Sequence, residues 1–251
     1  MPLHFDHTDI RRRFGRSRES YDAAAAVQGE MAAGLAEMLT LASLRQEFDR
    51  IFEVGCGSGF LTRELASRFA YRELVLNDLV PECEVLASEF PRARFLPGGI
   101  ETLKLPAELD LIAANAVLQW LRDPAGLFRR FAAVLNPEGV LAFSVFGPGN
   151  FGELRRLTGI GLDYRERESY LAMLEPDFEV LAVHEEKIEL FFDSPLAVLR
   201  HIKATGVGAT GSGRRWTRNK LEQFAADYES LRTADGFPLT YHPILIVAAK
   251  S

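Results

Sequence analysis

The seven residues Glu53-Val54-Gly55-Cys56-Gly57-Ser58-Gly59 constrain this chain more than any other stretch, because they stand between a strand-like run, RIFEV, and a helix-like run, FLTRELASRF. Glycines at alternate positions permit positive φ and let a ligand approach the backbone where a bulkier side chain would block it. The start of the following helix offers N–H groups that no helical carbonyl can take. Strand, glycine loop and helix in that order form the first unit of an open α/β sheet, which binds ligands at the carboxyl ends of its strands. The alternation continues with strand ELVLND, helix PECEVLASEF with Pro81 in its first turn, short strand ARFLP and strand LDLIAAN. Helix PAGLFRRFAAVL and strand GVLAFSVFG follow, separated by a turn at Asn136-Pro137-Glu138-Gly139. Five strands alternating with helices predict a parallel, doubly wound sheet, since parallel neighbours need crossover connections.

The flanks read differently. Residues 9–48 form an expected N-terminal helical extension, with Val27, Met31, Leu35, Met38 and Leu39 at helical spacing. Residues 147–175 read as a helical insertion after the fifth strand. FEVLAVHEEKIELFF reads as one long strand, 194–204 and 217–231 as helices, and HPILIVAAK as a final strand. The last two strands are expected to close the edge, giving seven. The 251 residues are treated as one domain, 1–251, divided into an N-terminal helical segment (1–48), a core (49–146) and a closing segment (147–251). A formal charge of -6 argues against a whole-molecule field for nucleic acid or a membrane surface. No run approaches the roughly 20 apolar residues of a spanning helix, and the N-terminus lacks the apolar stretch of a signal peptide. The two cysteines, Cys56 and Cys83, suggest no disulfide framework. A cytoplasmic location is expected.

The chemistry of the loop narrows its ligand. Asp78 ends the next strand about 20 residues beyond Gly59, the spacing at which an acid takes ribose hydroxyls. The dinucleotide fingerprint requires glycine at position 60, where this chain has Phe60. Glu53 would repel a pyrophosphate but favours an ammonium or a sulfonium. Loop, Glu53 and Asp78 together point to S-adenosylmethionine, with S-adenosylhomocysteine as product. No Ser-His-Asp order or metal-ligand cluster suggests other chemistry, and no metal is expected.

These segments resemble the class I methyltransferases: FEVGCGSG is similar to their first motif, LVLNDL to their second and LDLIAANAVLQW to their fourth-strand motif. The resemblance implies a Rossmann-like fold. It implies cofactor contacts from Gly55, Cys56, Gly57, Gly59, Asn77, Asp78, Leu79 and Ala116, with Asn115 beneath the cofactor and Ala116 to Trp120, Gln119 and Trp120 among them, lining the methyl-transfer side. One departure stands in FLPGGIETL, where the family has an acid at the position of Gly99: either Ile100 and Glu101 replace its contact with the adenine through backbone and packing, or adenine binding is weaker.

The segments FGRSRESYDAAAAVQGEMA, NAVLQWLRDPAGLF, PLAVLRHIKATGVGAT and FPLTYHPI extend the resemblance, across nearly the whole chain, to the malonyl-acyl-carrier-protein O-methyltransferase family of biotin synthesis. That implies methylation of a free malonyl carboxylate, which is ionised at neutral pH and needs alignment rather than a base. It makes residues 1–48 a lid, with Tyr21 and Gln28 over the cofactor and Tyr21 orienting rather than abstracting a proton. Arg200, His201, Lys203, Tyr241 and His242 are candidates to face the acceptor. A carrier protein is acidic, so Arg11, Arg12, Arg13, Arg16 and Arg18, or Arg214, Arg215, Arg218 and Lys220, are candidate docking clusters. Rival readings are a methyltransferase of a small free acid or quinone precursor, and a non-catalytic adenosylmethionine-binding protein. Phe60 disfavours an NAD-linked oxidoreductase.

Overall fold

The computed structural model describes residues 24–159, 161–205 and 217–251. Helix α1 (Ala26–Ser43) leads to β1 (Arg50–Val54), α2 (Phe60–Arg68), β2 (Glu73–Asp78), β3 (Ala93–Pro97), β4 (Leu109–Asn115), α3 (Pro124–Val134) and β5 (Leu135–Phe146). Then come α4 (Gly152–Thr158), α5 (Arg167–Leu174), β6 (Phe178–Glu185), β7 (Ile188–Phe192), α6 (Pro195–Ala204), α7 (Arg218–Glu229), β8 (Phe237–Tyr241) and β9 (Pro243–Lys250). Seven strands form one sheet in the order β3-β2-β1-β4-β5-β9-β6, parallel from β3 through β5 and antiparallel between β9 and β6. This is the expected doubly wound, Rossmann-like sheet, and β9 with β6 closes its edge.

The core follows from the strand sequences. β1, β2, β4 and β5 are buried over nearly their whole lengths, as parallel strands covered on both faces must be. Phe143 of β5 packs against Phe128 of α3 at 5.3 Å and Tyr170 of α5 at 5.9 Å between ring centroids. α3 starts at Asp123, whose carboxylate accepts from the Gly126 N–H at 2.8 Å, with Pro124 in the first turn. A Cβ on Gly126 would lie 2.2 Å from the Asp123 carboxylate, so the cap requires glycine there.

Several sequence expectations are corrected. The N-terminal helix does not run to residue 48: it ends at Ser43, and Leu44 takes φ 54°, breaking the helix. Its expected stretch before Ala24 lies outside the described residues. Residues 81–89 form a tighter 3-10 helix. The Asn136–Gly139 turn is absorbed into β5 as an irregularity, where the pairing jumps from Leu109↔Leu135 to Leu111↔Val140. The long strand from Phe178 breaks at Glu186-Lys187 into β6, in the main sheet, and β7, which pairs antiparallel with β8 in a separate two-stranded sheet. β8 itself was read only as a piece of a motif.

The chain divides into two compact units. One comprises Val27–Val145, Glu166–Glu185 and Ile244–Ser251 and holds the main sheet with its core. The other takes the described residues of Phe146–Arg165 and Glu186–Pro243, with the β7–β8 pair, α4, α6 and α7.

Candidate functional site

β1 delivers Glu53 to the carboxyl edge of the sheet between Leu76 of β2 and Ala113 of β4, and the glycine loop begins immediately after it. Gly55, Gly57 and Gly59 all take positive φ, 69°, 51° and 89°. Their surroundings differ. A Cβ on Gly55 would stand 2.4 Å from Val117, and one on Gly59 2.6 Å from Leu86, so both are fixed by packing as well as by φ. A Cβ on Gly57 would meet nothing within 4 Å. That is the face a ligand can approach.

The loop is held from several sides. Cys56 N donates to Asn77 O at 2.9 Å and Gly59 N to Cys56 O at 2.8 Å. The Asp78 carboxylate accepts from Gly57 N at 2.9 Å and from Val80 N at 2.8 Å, tying the loop to the end of β2, with Leu79 half-buried between. Arg63 of α2 donates to Ser58 O at 2.8 Å and pairs with Glu89 at 3.1 Å. Cys56 and Cys83 are free and buried, and the Cys83 thiol beside it together with burial pushes the Cys56 thiol up.

Glu53 Oε2, Gln28 Oε1 and Gln119 Oε1 are buried here without a hydrogen-bond partner, as are Ser58 Oγ of the loop and Thr62 Oγ1 of α2. Burial raises the Glu53 carboxyl to about 8. Thr62 beside it pulls the value down, Asp78 pushes it up and Arg63 lowers it, but none of them closes a hydrogen bond on Oε2. Gln28, at the start of α1, accepts through its backbone carbonyl from Asn115 Nδ2 at 3.0 Å, and neighbouring Gly29 lies against the Phe60 ring. The start of α1 is thus tied to the end of β4 and lies against the residue that follows the glycine loop. Unpartnered buried acceptors beside a loop left open at Gly57 fit a ligand carrying positive charge and hydroxyls.

Beyond β4 the backbone is strained. Ala116 takes φ 54°, rare for a residue with a Cβ, while its N–H donates to Ser144 O at 3.0 Å and lies 3.1 Å from Ser144 Oγ. Ser144 Oγ donates to Asn115 Oδ1 at 2.5 Å, and Gln119 Nε2 to Ala116 O at 2.7 Å. Ser144 was missed from sequence, although a lone hydroxyl in the apolar run VLAFSVF was the signal. At the Gly99 departure, Ile100 is buried and Glu101 Oε1 accepts from Arg122 N at 3.3 Å. Arg130 of α3 donates to the carbonyls of Ile100 at 2.9 Å, Glu101 at 2.8 Å and Leu103, fixing this loop from below. Nothing marked Arg130 in FRRF, where it resembles a solvated charge.

In the other unit, His201 Nε2 and the Tyr241 hydroxyl share a hydrogen bond of 2.8 Å, Tyr241 is fully buried against Phe146 and Phe151, and burial lowers the His201 pKa. His242 Nδ1 accepts from Gly149 N at 2.9 Å. Arg200 and Lys203 are exposed. Tyr21, Arg11, Arg12, Arg13, Arg16, Arg18, Arg214 and Arg215 lie outside the described residues. Arg218 pairs with Glu222 at 2.9 Å. Among the described residues no helix is long and apolar enough to cross a membrane, and no group of three or more His, Cys, Asp or Glu side chains is placed to hold a metal.

A sheet in this order, with a glycine loop after β1 and an acid ending β2, is that of a class I methyltransferase. Residues 52–143 match the family described as Methyltransferase domain. A methyltransferase structure from Bacillus halodurans aligns with a TM-score of 0.63 at 15% identity, covering 86% of this chain and 97% of that one. The N-methyltransferase NodS from Bradyrhizobium japonicum, in complex with S-adenosyl-L-homocysteine, aligns at 0.50 and 15% identity over 86% and 85%. The malonyl-[acyl-carrier protein] O-methyltransferase of Prosthecochloris aestuarii is 41% identical over 94% of this chain and 90% of its own length. The chain belongs to the malonyl-[acyl-carrier protein] O-methyltransferase family.

Proposed function

We propose that this enzyme transfers the methyl group of S-adenosylmethionine to the free carboxylate of a malonyl group borne on acyl-carrier protein. The observation that carries the reading is the extent of the likeness: a methyltransferase core alone suits many acceptors, whereas 41% identity over 94% of the chain includes the acceptor-side flanks.

The bound cofactor would supply an electrophilic methyl on a sulfonium. Glu53 and the side-chain oxygens of Gln28 and Gln119 supply acceptors for its positive charge, Asp78 takes the ribose, and the glycine loop, open at Gly57, and the Arg130-held loop at Gly99, Ile100 and Glu101 frame the nucleoside. Asn115 and Ala116, locked by Ser144, define the floor. Trp120 and Gln119 are proposed to align the acceptor carboxylate, which is already ionised, so the chain has to place it and exclude water rather than move a proton. Tyr21 orients the reactants from the lid. His201 and Tyr241, joined by a hydrogen bond, are proposed to serve acceptor recognition. With the cofactor bound, the malonyl oxygen would gain the methyl group, and the sulfonium would leave as a neutral thioether that keeps the electron pair of the broken bond.

Mass spectrometry of malonyl-carrier protein incubated with the chain and S-adenosylmethionine tests this. The carrier gains the mass of one methylene, and Asp78→Ala abolishes the gain by losing both ribose contact and loop anchor. Cofactor binding without any gain would move the acceptor to a small acid or quinone precursor, or make the chain a binding protein.

A further inference from the structure

Leu196, Arg200 and Lys203 stand at i, i+4 and i+7 of α6, one continuous stripe on the helix surface. Pro195, Val198 and Ile202 on the opposite side are buried, and His201 turns inward to Tyr241. The stripe faces water: Leu196 is 45% exposed, and both cations are exposed. Among the described residues neither cation forms an ion pair or side-chain hydrogen bond, in contrast to Arg155, Arg218 and Arg232 of the same unit, which pair with Asp163, Glu222 and Glu229. Lys203 has a local reason to be there, since a cation suits the last turn of a helix. Arg200 and the exposed Leu196 have none.

Two such cations around an exposed leucine, in a protein of net charge -6, match a partner that brings carboxylates around an apolar contact. We propose that this stripe of α6 is the docking surface for the acidic acyl-carrier domain; the inference rests on the carrier-bound acceptor proposed above. It gives Arg200 and Lys203 a role in partner capture, separate from holding the malonyl carboxylate, and it differs from the Arg218–Lys220 cluster, where Arg218 is already engaged by Glu222.

Steady-state kinetics of the full chain on malonyl-carrier protein and on S-malonyl-pantetheine, which lacks the carrier, provide the test. Arg200→Glu with Lys203→Glu raises KM for the carrier substrate about tenfold at low salt, and added salt narrows the gap, while kcat and the pantetheine kinetics stay within about twofold. Arg200→Gln with Lys203→Gln, checked for an unchanged melting temperature, gives a smaller KM rise in the same direction, and Leu196→Ser raises KM without changing its salt dependence. Equal losses on both substrates would make the stripe a grip on the malonyl group, and no change on either would make it ordinary surface; both results overturn the proposal. Wild-type chain that never methylates the carrier substrate overturns the underlying reading first, before any variant is compared.

Discussion

Glu53 shows how one buried carboxyl connects stability to binding. Its value near 8 in the folded chain, against an ordinary 4.5, means that the folded state keeps the proton while the unfolded state releases it. That proton-linked stability is complete below pH 4.5 and is lost as pH rises toward 8. Glu53→Gln is therefore expected to melt higher than wild type at pH 8, with the difference vanishing near pH 4.5, as thermal denaturation across pH will record. A cationic ligand takes the ionised form, so binding by wild type strengthens toward pH 8 with release of a proton. The variant binds about ten- to a hundredfold more weakly and lacks that release, read by calorimetry in buffers of different ionisation enthalpy. The loop glycines separate packing from approach. Gly55→Ala drives a Cβ into Val117 at φ 69° and is expected to destabilise the fold by several kcal/mol. Gly57→Ala meets open space and costs only about 1–2 kcal/mol for its backbone, yet weakens cofactor binding at least as much. Comparable melting temperatures for the two variants would contradict this division.

Among the elements, those with one strong periodicity were the legible ones. β1, β2 and β4 read as strands because continuous apolar runs bounded by glycine or acid have few alternatives, and α3 because its apolar residues recur at helical spacing. The break between β6 and β7 was not legible: both halves favour strand, and which sheet each joins depends on partners distant in sequence. The loop after β3 shows the same dependence at a site, because three of its carbonyls are held by one guanidinium from α3. Arg130→Met keeps the stem's packing but strands those carbonyls. It is expected to lower stability by about 1–3 kcal/mol and weaken cofactor binding severalfold, with cofactor restoring some of the lost melting temperature. Unchanged binding would show that the loop keeps its shape without Arg130.

At the level of the whole chain, the two units are built on different architectures, a mostly parallel sheet with its core and a small helical module on an antiparallel pair. Hydrogen exchange with and without S-adenosylmethionine is expected to concentrate protection, among the described residues, in the first unit: at 53–60, 77–80, 98–101 and 115–120. Protection centred instead on α6, α7 and β8 would relocate the cofactor.

What the sequence determined by itself was the order of strands and helices in the core, the glycine loop and the acids at its two sides. These are local signals: a positive-φ requirement, an apolar run and a charge at fixed spacing each act within a few residues. Tertiary structure alone decided that Asp78 also anchors the loop, that Ser144 locks a strained Ala116 and Asn115, and that Arg130 holds the loop at Ile100. It also decided that Glu53 loses its water. Hydrogen bonds between side chains and strands far apart in the chain, and the dielectric around a carboxyl, exist only once the sheet has brought those segments together.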